Sequence, residues 1–249
     1  MSVTVAIHQP NFLPWSGFFD KWRQADVFIL LDDVQFVRRT YLTRASIRNG
    51  NRPEPLTVPV LHTGIQEVSI REARIDRSQW NLRKLERKLE TCYGHRPAFE
   101  EVSATLLPFL QESTDSLFQI NSNLIGWMGG TCLGLDPAKI VLQSSFPHSG
   151  SKSALMAELT VLAGGDRYLS GGWDPALREG EPPVGAAAYN DRDTFDQYGV
   201  RLTYQNFKPA SYVQGKEAFL PGLSLLDTLY TLGITGCRTH FETAYGVSE

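Results

Sequence analysis

Residues 5–36, VAIHQPNFLPWSGFFDKWRQADVFILLDDVQF, constrain the fold more than any other stretch of the chain. The apolar, β-branched residues 3–7 read as a strand that stops at His8-Gln9-Pro10-Asn11. Pro10 and Pro14 exclude a helix through that turn, because each lacks an N–H and disfavours helical geometry in the residue before it. Phe18, Phe19 and Trp22 then recur at near-helical spacing, and Asp26 closes the segment. Residues 27–31 are a continuous apolar run, as expected of a strand covered on both faces. The pattern predicts a βαβ unit with a polar cluster after its first strand and the carboxylate pair Asp32-Asp33 after its second. Open α/β sheets bind ligands at these strand ends. The phosphate-binding fingerprint G-x-G-x-x-G does not follow the first strand.

Bulk properties fit one enzyme-sized unit. A chain of 249 residues with 42% hydrophobic content can build a single α/β domain over 1–249, with cap insertions at about 37–135. A net charge of −3 leaves no basic footprint, so nucleic acid is not an expected partner. Arg38, Arg39, Arg44, Arg48 and Arg52 make a local basic run, either a patch or an exposed loop. Cys92, Cys132 and Cys237 have no C-x-x-C spacing, which points to a reducing compartment. No signal-like opening and no apolar run long enough to span a bilayer are present, so the expected location is the cytoplasm.

Further elements follow from local patterns. Residues 37–60 read as a hairpin or an extended excursion with a turn at Asn49-Gly50 and a short strand at 56–60, and residues 65–75 as a further strand. Residues 79–93 are an amphipathic helix with Leu82, Leu85, Leu89 and Cys92 on one face. Residues 99–113, 115–133 and 151–164 are predicted helices. Short strands are predicted at 139–142, 167–169 and 200–204, a mobile loop at 174–193, and a helix at 223–232 closed by Gly233.

These same residues carry a family resemblance. IHQPNFLPWSGFFDK, the AD-FILLDDVQF step, LTVPV, YLSG and a distal set (Tyr212, Gln214, Phe219, Pro221, Leu223, Ser224, Asp227, Gly233) resemble the WbqC-like family over about residues 3–235. The resemblance implies a bacterial biosynthetic protein of surface-polysaccharide or specialised-metabolite pathways. It departs from the family pattern in three places: Thr43 replaces the usual Asn before Arg44, Arg83-Lys84 follows Trp80 in place of a Lys-His pair, and the loop after YLSG is a shortened GGWDPALREG. The span from His8 to Gly17, just ahead of a helix, is also similar to the HIGH-type turn of nucleotidylyltransferase folds. That likeness implies charge stabilisation at a helix N-terminus, although the second histidine of the turn is absent. The expected fold is α/β: a mainly parallel sheet with a Rossmann-like, nucleotidylyltransferase-like core and a helical and hairpin cap.

The candidate chemistry sits at the strand ends. His8 is a candidate general base, whose loss would remove an acidic limb near pH 6.5 from a rate profile. Asp32 and Asp33 alternate across the strand, so one faces a pocket and the other caps or pairs with an arginine. Asp33, on the same side as Gln35, is the catalytic candidate; its structural alternative is an ion pair with Arg38 or Arg44. Gln9, Asn11, Asp32, Gln35 and Arg44 are candidate substrate-binding residues. Ser151 and Lys152, in a loop entering a helix, offer hydroxyl, N–H and ammonium groups to an anion, or Ser151 is a plain N-cap. Ser170 and Gly171 supply permissive backbone near a ligand or a turn. Gln214 belongs to the distal set, and Asp227 lies among leucines, where a carboxylate needs a partner.

Five histidines (8, 62, 95, 148, 240) never fall at metal-ligand spacing, so no metal is predicted, and the sequence leaves any other cofactor open. The expected function is a transferase moving an activated acyl or aminoacyl group onto an amine or hydroxyl of a sugar or metabolite scaffold. A nucleotidylyltransferase-like enzyme using ATP or CTP, and a non-catalytic binding protein of a biosynthetic cluster, are the alternatives.

Overall fold

A computed structural model of the chain describes residues 2–61, 68–112, 114–172, 189–215 and 218–246. The chain divides into two compact units, each assembled from separate stretches of sequence. The first is Met1–Gln9, Gly17–Asp32 and Pro137–Lys208; the second is Pro10–Ser16, Asp33–Asp136 and Pro209–Glu249. The segment expected as a cap therefore lies in the second unit, together with two stretches outside it.

The first unit is a parallel α/β sheet. Its strands are β1 (Thr4–His8), β2 (Val27–Leu30), β5 (Ile140–Leu142), β6 (Arg167–Ser170) and β7 (Arg201–Tyr204). They lie in the order β5-β2-β1-β6-β7, all neighbours parallel. Three successive strands build outward from β1 in one direction, and the next two build in the other. This is the doubly wound, Rossmann-like arrangement, and its switch point lies between β1 and β6. Helix α1 (Ser16–Gln24) covers the face that carries Phe28: Phe18 meets that ring at 5.3 Å and Trp22 stacks on it at 6.0 Å. Helices α5 (Lys152–Leu162) and α6 (Arg192–Gln197) pack against one another and against β6 and β7. Gly165 permits close passage of the chain beside β1, since a Cβ there would stand 2.4 Å from Val5.

The second unit contains the predicted hairpin, β3 (Arg44–Asn49) and β4 (Arg52–Thr57), turning at Gly50 with φ 57°. Four helices complete it: α2 (Leu82–Tyr93), α3 (Phe99–Gln111), α4 (Leu117–Gly126) and α7 (Leu225–Tyr245). A wider, π-type turn over Trp127–Cys132 extends α4 until Gly134 ends it at φ 73°. Within α7 the helix breaks at Gly233, where φ 73° and ψ 174° suit glycine alone. The sequence predicts this break but not the helical continuation beyond it. The strand expected at 65–75 is reduced to isolated bridges at Ser69, Arg74 and Ile75 among the described residues. Most of the loop expected at 174–193 lies outside the described residues.

Candidate functional site at the sheet edge

The ends of β1 and β6 hold a buried cluster of polar groups in the first unit. The ladder between these strands stops at Ala6 and Leu169. Past it, the Ile7 carbonyl accepts a hydrogen bond from Lys21 Nζ at 2.7 Å. Lys21 lies on the buried face of α1 and is 3% exposed. Its Nζ also sits 5.8 Å from the centre of the Tyr168 ring, within range of a cation–π contact. Burial lowers its pKa to about 7, because a desolvated ammonium is disfavoured.

His8 stands at the end of β1, edge-on to Phe18 at 4.7 Å. Its Nδ1 lies 2.9 Å from the Gln9 carbonyl, which only accepts, so Nδ1 carries the proton and Nε2 keeps its lone pair. Burial first, then the charge of Lys21, lowers the His8 pKa to about 3, with the bond to Gln9 opposing. The imidazole is therefore neutral throughout the physiological range. Desolvation and the Lys21 charge thus lower the His8 pKa below the 6.5 on which the expected acidic limb rests, and desolvation lowers that of Lys21 to about 7.

Around this pair, Asp20 anchors the first turns of α1. It is 3% exposed and accepts from Arg23 Nη2 at 2.8 Å, Gln24 Nε2 at 2.6 Å and Gln205 Nε2 at 2.8 Å. Gln205 also donates to the Gly17 carbonyl at 2.7 Å, and its N–H donates to Ser170 at 2.9 Å. Gln205 thus ties the start of α1 to the ends of β6 and β7. Ser170 is buried; its hydroxyl donates to the Gly171 carbonyl at 3.1 Å and accepts from Asn190 Nδ2 at 2.8 Å.

The carboxylate pair separates as strand alternation requires, but with the roles exchanged. Asp32 is fully buried in the first unit, where its Oδ1 accepts the Ser144 N–H at 2.9 Å and fixes the loop after β5. Asp33 lies in the second unit with its side chain 45% exposed, 3.2 Å from Arg71. The preference for Asp33 over Asp32 as the inward carboxylate is therefore corrected, and its arginine is Arg71 rather than Arg38 or Arg44. Gln35, on the same side as Asp33, is exposed and bridges to Ser69.

The loop before α5 also differs from expectation. Ser151 is at the N-cap position without a side-chain cap bond, and Lys152 is exposed with φ 53°. The N–H groups of Ser149 and Gly150 donate to Glu158 at 3.1 and 2.7 Å. The protein's own carboxylate occupies backbone donors that the sequence offers to an external anion.

In the second unit, Asn11 is buried and Arg44 is exposed at the start of β3. Gln214 and Asp227 are brought together: Gln214 Nε2 donates to Asp227 Oδ2 at 3.0 Å, and the Tyr212 hydroxyl donates to the same oxygen at 2.5 Å. Arg48, 2% exposed, donates to Gln214 Oε1 at 2.7 Å. It is thus part of a buried network, not of an exposed basic loop. Burial and the nearby Asp227 carboxylate push the Tyr93 and Tyr212 hydroxyls above the usual phenol range.

The sequence reasoning missed Lys21, Gln205 and Arg48. Lys21 carried a usable signal: it lies three residues after Phe18 and next to Trp22, on the apolar face of its helix. Arg48 and Gln205 gave none, since their partners are far away in sequence. Among the described residues, no cluster of His, Cys, Asp and Glu has the geometry of a metal site, and no helix is long and apolar enough to cross a membrane. The three cysteines are free and buried; burial pushes Cys132 up to about 12.

The doubly wound sheet and the polar cluster at its switch point define a Rossmann-like α/β protein with a candidate ligand site at the strand ends. The chain belongs to the WbqC-like protein family, whose model matches residues 9–239. It is similar to the uncharacterized protein Rv1507c of Mycobacterium tuberculosis (strain ATCC 25618 / H37Rv), with 30% identity over 231 residues, 92% of this chain and 94% of that protein. No solved structure matches the chain.

Proposed function

We propose that the protein is a small-molecule biosynthetic transferase that moves an activated acyl or aminoacyl group onto an amine or hydroxyl of a sugar or metabolite scaffold. The observation that carries this reading is the Lys21 amine, with its pKa near 7, in the same buried cluster as a neutral His8 at the switch point. In acyl transfer, a bond forms between the acceptor nitrogen or oxygen and the acyl carbon, and the bond from that carbon to the leaving group breaks. The acceptor must shed a proton as it attacks. An amine that is substantially neutral at pH 7 is suited to take that proton. His8 Nε2, with its lone pair available, accepts a hydrogen bond from the acceptor and orients it. Ser170 and Gly171 lie at the end of β6, the other strand flanking the switch point, where the donor would lie. Arg44, Asp33 and the Ser151–Lys152 loop have no role in this scheme.

The test is a mass-resolved screen of acyl thioesters against amino sugars and amino acids, using the parent protein and Lys21→Met. Product that forms with the parent and fails with the folded variant supports the scheme. Equal turnover by both removes Lys21 from the chemistry.

A second reading, nucleotidyl transfer from ATP or CTP, draws on the strand order, since doubly wound sheets bind nucleotides at this switch point. Thermal shifts with ATP or CTP, with and without Mg²⁺, together with pyrophosphate release, separate the two.

A further inference from the structure

The cluster at the switch point draws on two elements that follow one another only distantly in sequence: the turn of α1 that carries Lys21, and the end of β6 at Ser170 and Gly171. Gln205 belongs to neither and is bonded to both. It stands directly after β7, and its main-chain N–H donates to the Ser170 carbonyl at 2.9 Å. Its side-chain Nε2 donates to the Gly17 carbonyl at 2.7 Å and to Asp20 Oδ2 at 2.8 Å. An amide NH₂ has two protons, so both are in use. Gly17 precedes Lys21 by four residues, and its carbonyl is therefore the helical acceptor for the Lys21 N–H. Asp20 is the residue before Lys21. One residue thus grips the helical turn that carries the amine with its side chain and the end of β6 with its backbone.

The chain around Gln205 is shaped for this. Asn206 adopts φ 51°, a left-handed geometry that Asn tolerates better than most residues, and its N–H donates to the Gly172 carbonyl at 3.1 Å. Gly172 itself has φ 96°. Residues 205–206 therefore run bonded alongside residues 170–172. A Cβ at Gly171 would meet nothing within 4 Å, so among the described residues there is space beside it.

Gln205 also helps to fix the Asp20 charge. That carboxylate accepts from Arg23 and Gln24 of its own helix and from Gln205 of another element. Lys21 Nζ bonds the Ile7 carbonyl instead. Around Lys21 the titratable groups are Asp20 and Arg23 on α1, His8 at the end of β1 and Tyr168 on β6; Phe195 of α6 stacks on Tyr168, and β2 meets α1 through Phe28.

We propose that Gln205 is a positioning residue: it clamps the Lys21 turn of α1 to the end of β6 and so sets where the Lys21 amine stands relative to Ser170 and Gly171. The inference rests on the transferase reading for its effect on turnover, but not for its effect on Lys21 itself.

The test uses Gln205→Met, which keeps the length and removes both side-chain donors, and Gln205→Asn, which keeps the amide on a stem too short for the span. Lysine titration by NMR on ¹³Cε-labelled protein, with the signal assigned through Lys21→Met, reads the amine without any substrate. The parent is expected to titrate at about 7. A loosened turn admits water to the amine, so both variants should titrate higher by about one unit or more. In the acyl-transfer screen, kcat should fall about 10–100-fold with KM little changed. Melting curves establish folding; if Gln205→Met does not fold, Gln205→Asn decides, and if neither folds the residue is structural and the proposal falls. An unmoved Lys21 titration in a folded variant would overturn the proposal whatever happens to melting temperature or turnover, as would a parent Lys21 titrating near 10.5. A moved titration with unchanged kcat upholds the clamp and instead removes Lys21 from the chemistry of the transferase reading.

Discussion

Lys21 Nζ lies 2.7 Å from the Ile7 carbonyl, one position beyond the last paired residue of β1 on its β6 side. Among the described residues, its bonded partner is this carbonyl and not a carboxylate, so the ammonium is buried against a dipole without a full counter-charge.

This has a consequence for stability. The Lys21 pKa falls from 10.5 in its ordinary state to about 7 in the fold. Between those values the unfolded chain binds more protons than the folded one, so this group makes stability rise with pH from about 7 to about 10. Below pH 7 the full penalty of burying the charge applies. Lys21→Met should therefore stabilise the protein by about 2–4 kcal/mol at pH 6, with the gain shrinking towards pH 10. Urea unfolding at three pH values checks this. A gain independent of pH would show that packing, not charge, is responsible.

The catalytic pH profile should follow the lysine, not the histidine. An acidic limb in kcat/KM is expected for the parent with an apparent pKa near 7, and any residual turnover of Lys21→Met should lack it. His8→Gln should keep the limb and raise KM, as expected of a positioning contact. For stability, the folded His8 pKa of about 3 lies below its unfolded 6.5. The stability it contributes is present above pH 6.5 and is lost as pH falls towards 3. If the limb vanishes in His8→Gln but survives in Lys21→Met, the roles are reversed.

The adjacent aspartates should behave differently. Asp33→Ala removes an exposed pair with Arg71 and should change stability by less than about 1 kcal/mol. Asp32→Ala strips the Ser144 N–H of a buried acceptor and should cost about 1–3 kcal/mol. Thermal unfolding of both variants in one buffer gives the comparison.

Asp227→Leu should be among the most damaging substitutions in the second unit. It leaves the Tyr212 hydroxyl and Gln214 amide without their common acceptor, and it also removes an acid from the first turn of α7. A loss of about 3–5 kcal/mol is expected in chemical denaturation.

Gly233→Ala probes the break in α7. A side chain at φ 73° and ψ 174° is strained, and its Cβ would lie 3.3 Å from a Glu101 carboxylate oxygen. A cost of about 1–3 kcal/mol is expected. An unchanged melting temperature would mean that α7 can straighten at little cost.

The sheet core was legible wherever its signal was local. The apolar run at 27–31, the prolines after β1 and the amphipathic pattern of α2 each state their structure within a few residues. Asp32 and Asp33 show where this stops. Alternation predicts that they diverge, but not which one turns inward, because that depends on where the chain leaves the sheet. The 151–152 loop shows a related limit: Glu158 sits too far along for a capping box, yet the fold brings it onto Ser149 and Gly150. Arg48 was placed among surface arginines because its partner, Gln214, is 166 residues away.

The interleaving of the two units bears on how the chain can be made. β1, α1 and β2 are synthesised first, but the bond that joins the end of β2 to the loop after β5 closes over 112 residues. The second unit begins at Pro10 and is not complete until α7 follows the first unit's last strand. The first unit cannot be completed until most of the second has been translated, and the second cannot be completed until the whole of the first has been. Long-range parallel pairing of this kind makes folding slow and leaves apolar strands exposed in the nascent chain. The protein is thus expected to refold slowly and to draw on chaperones during synthesis, a burden set by the order of its segments rather than by its stability.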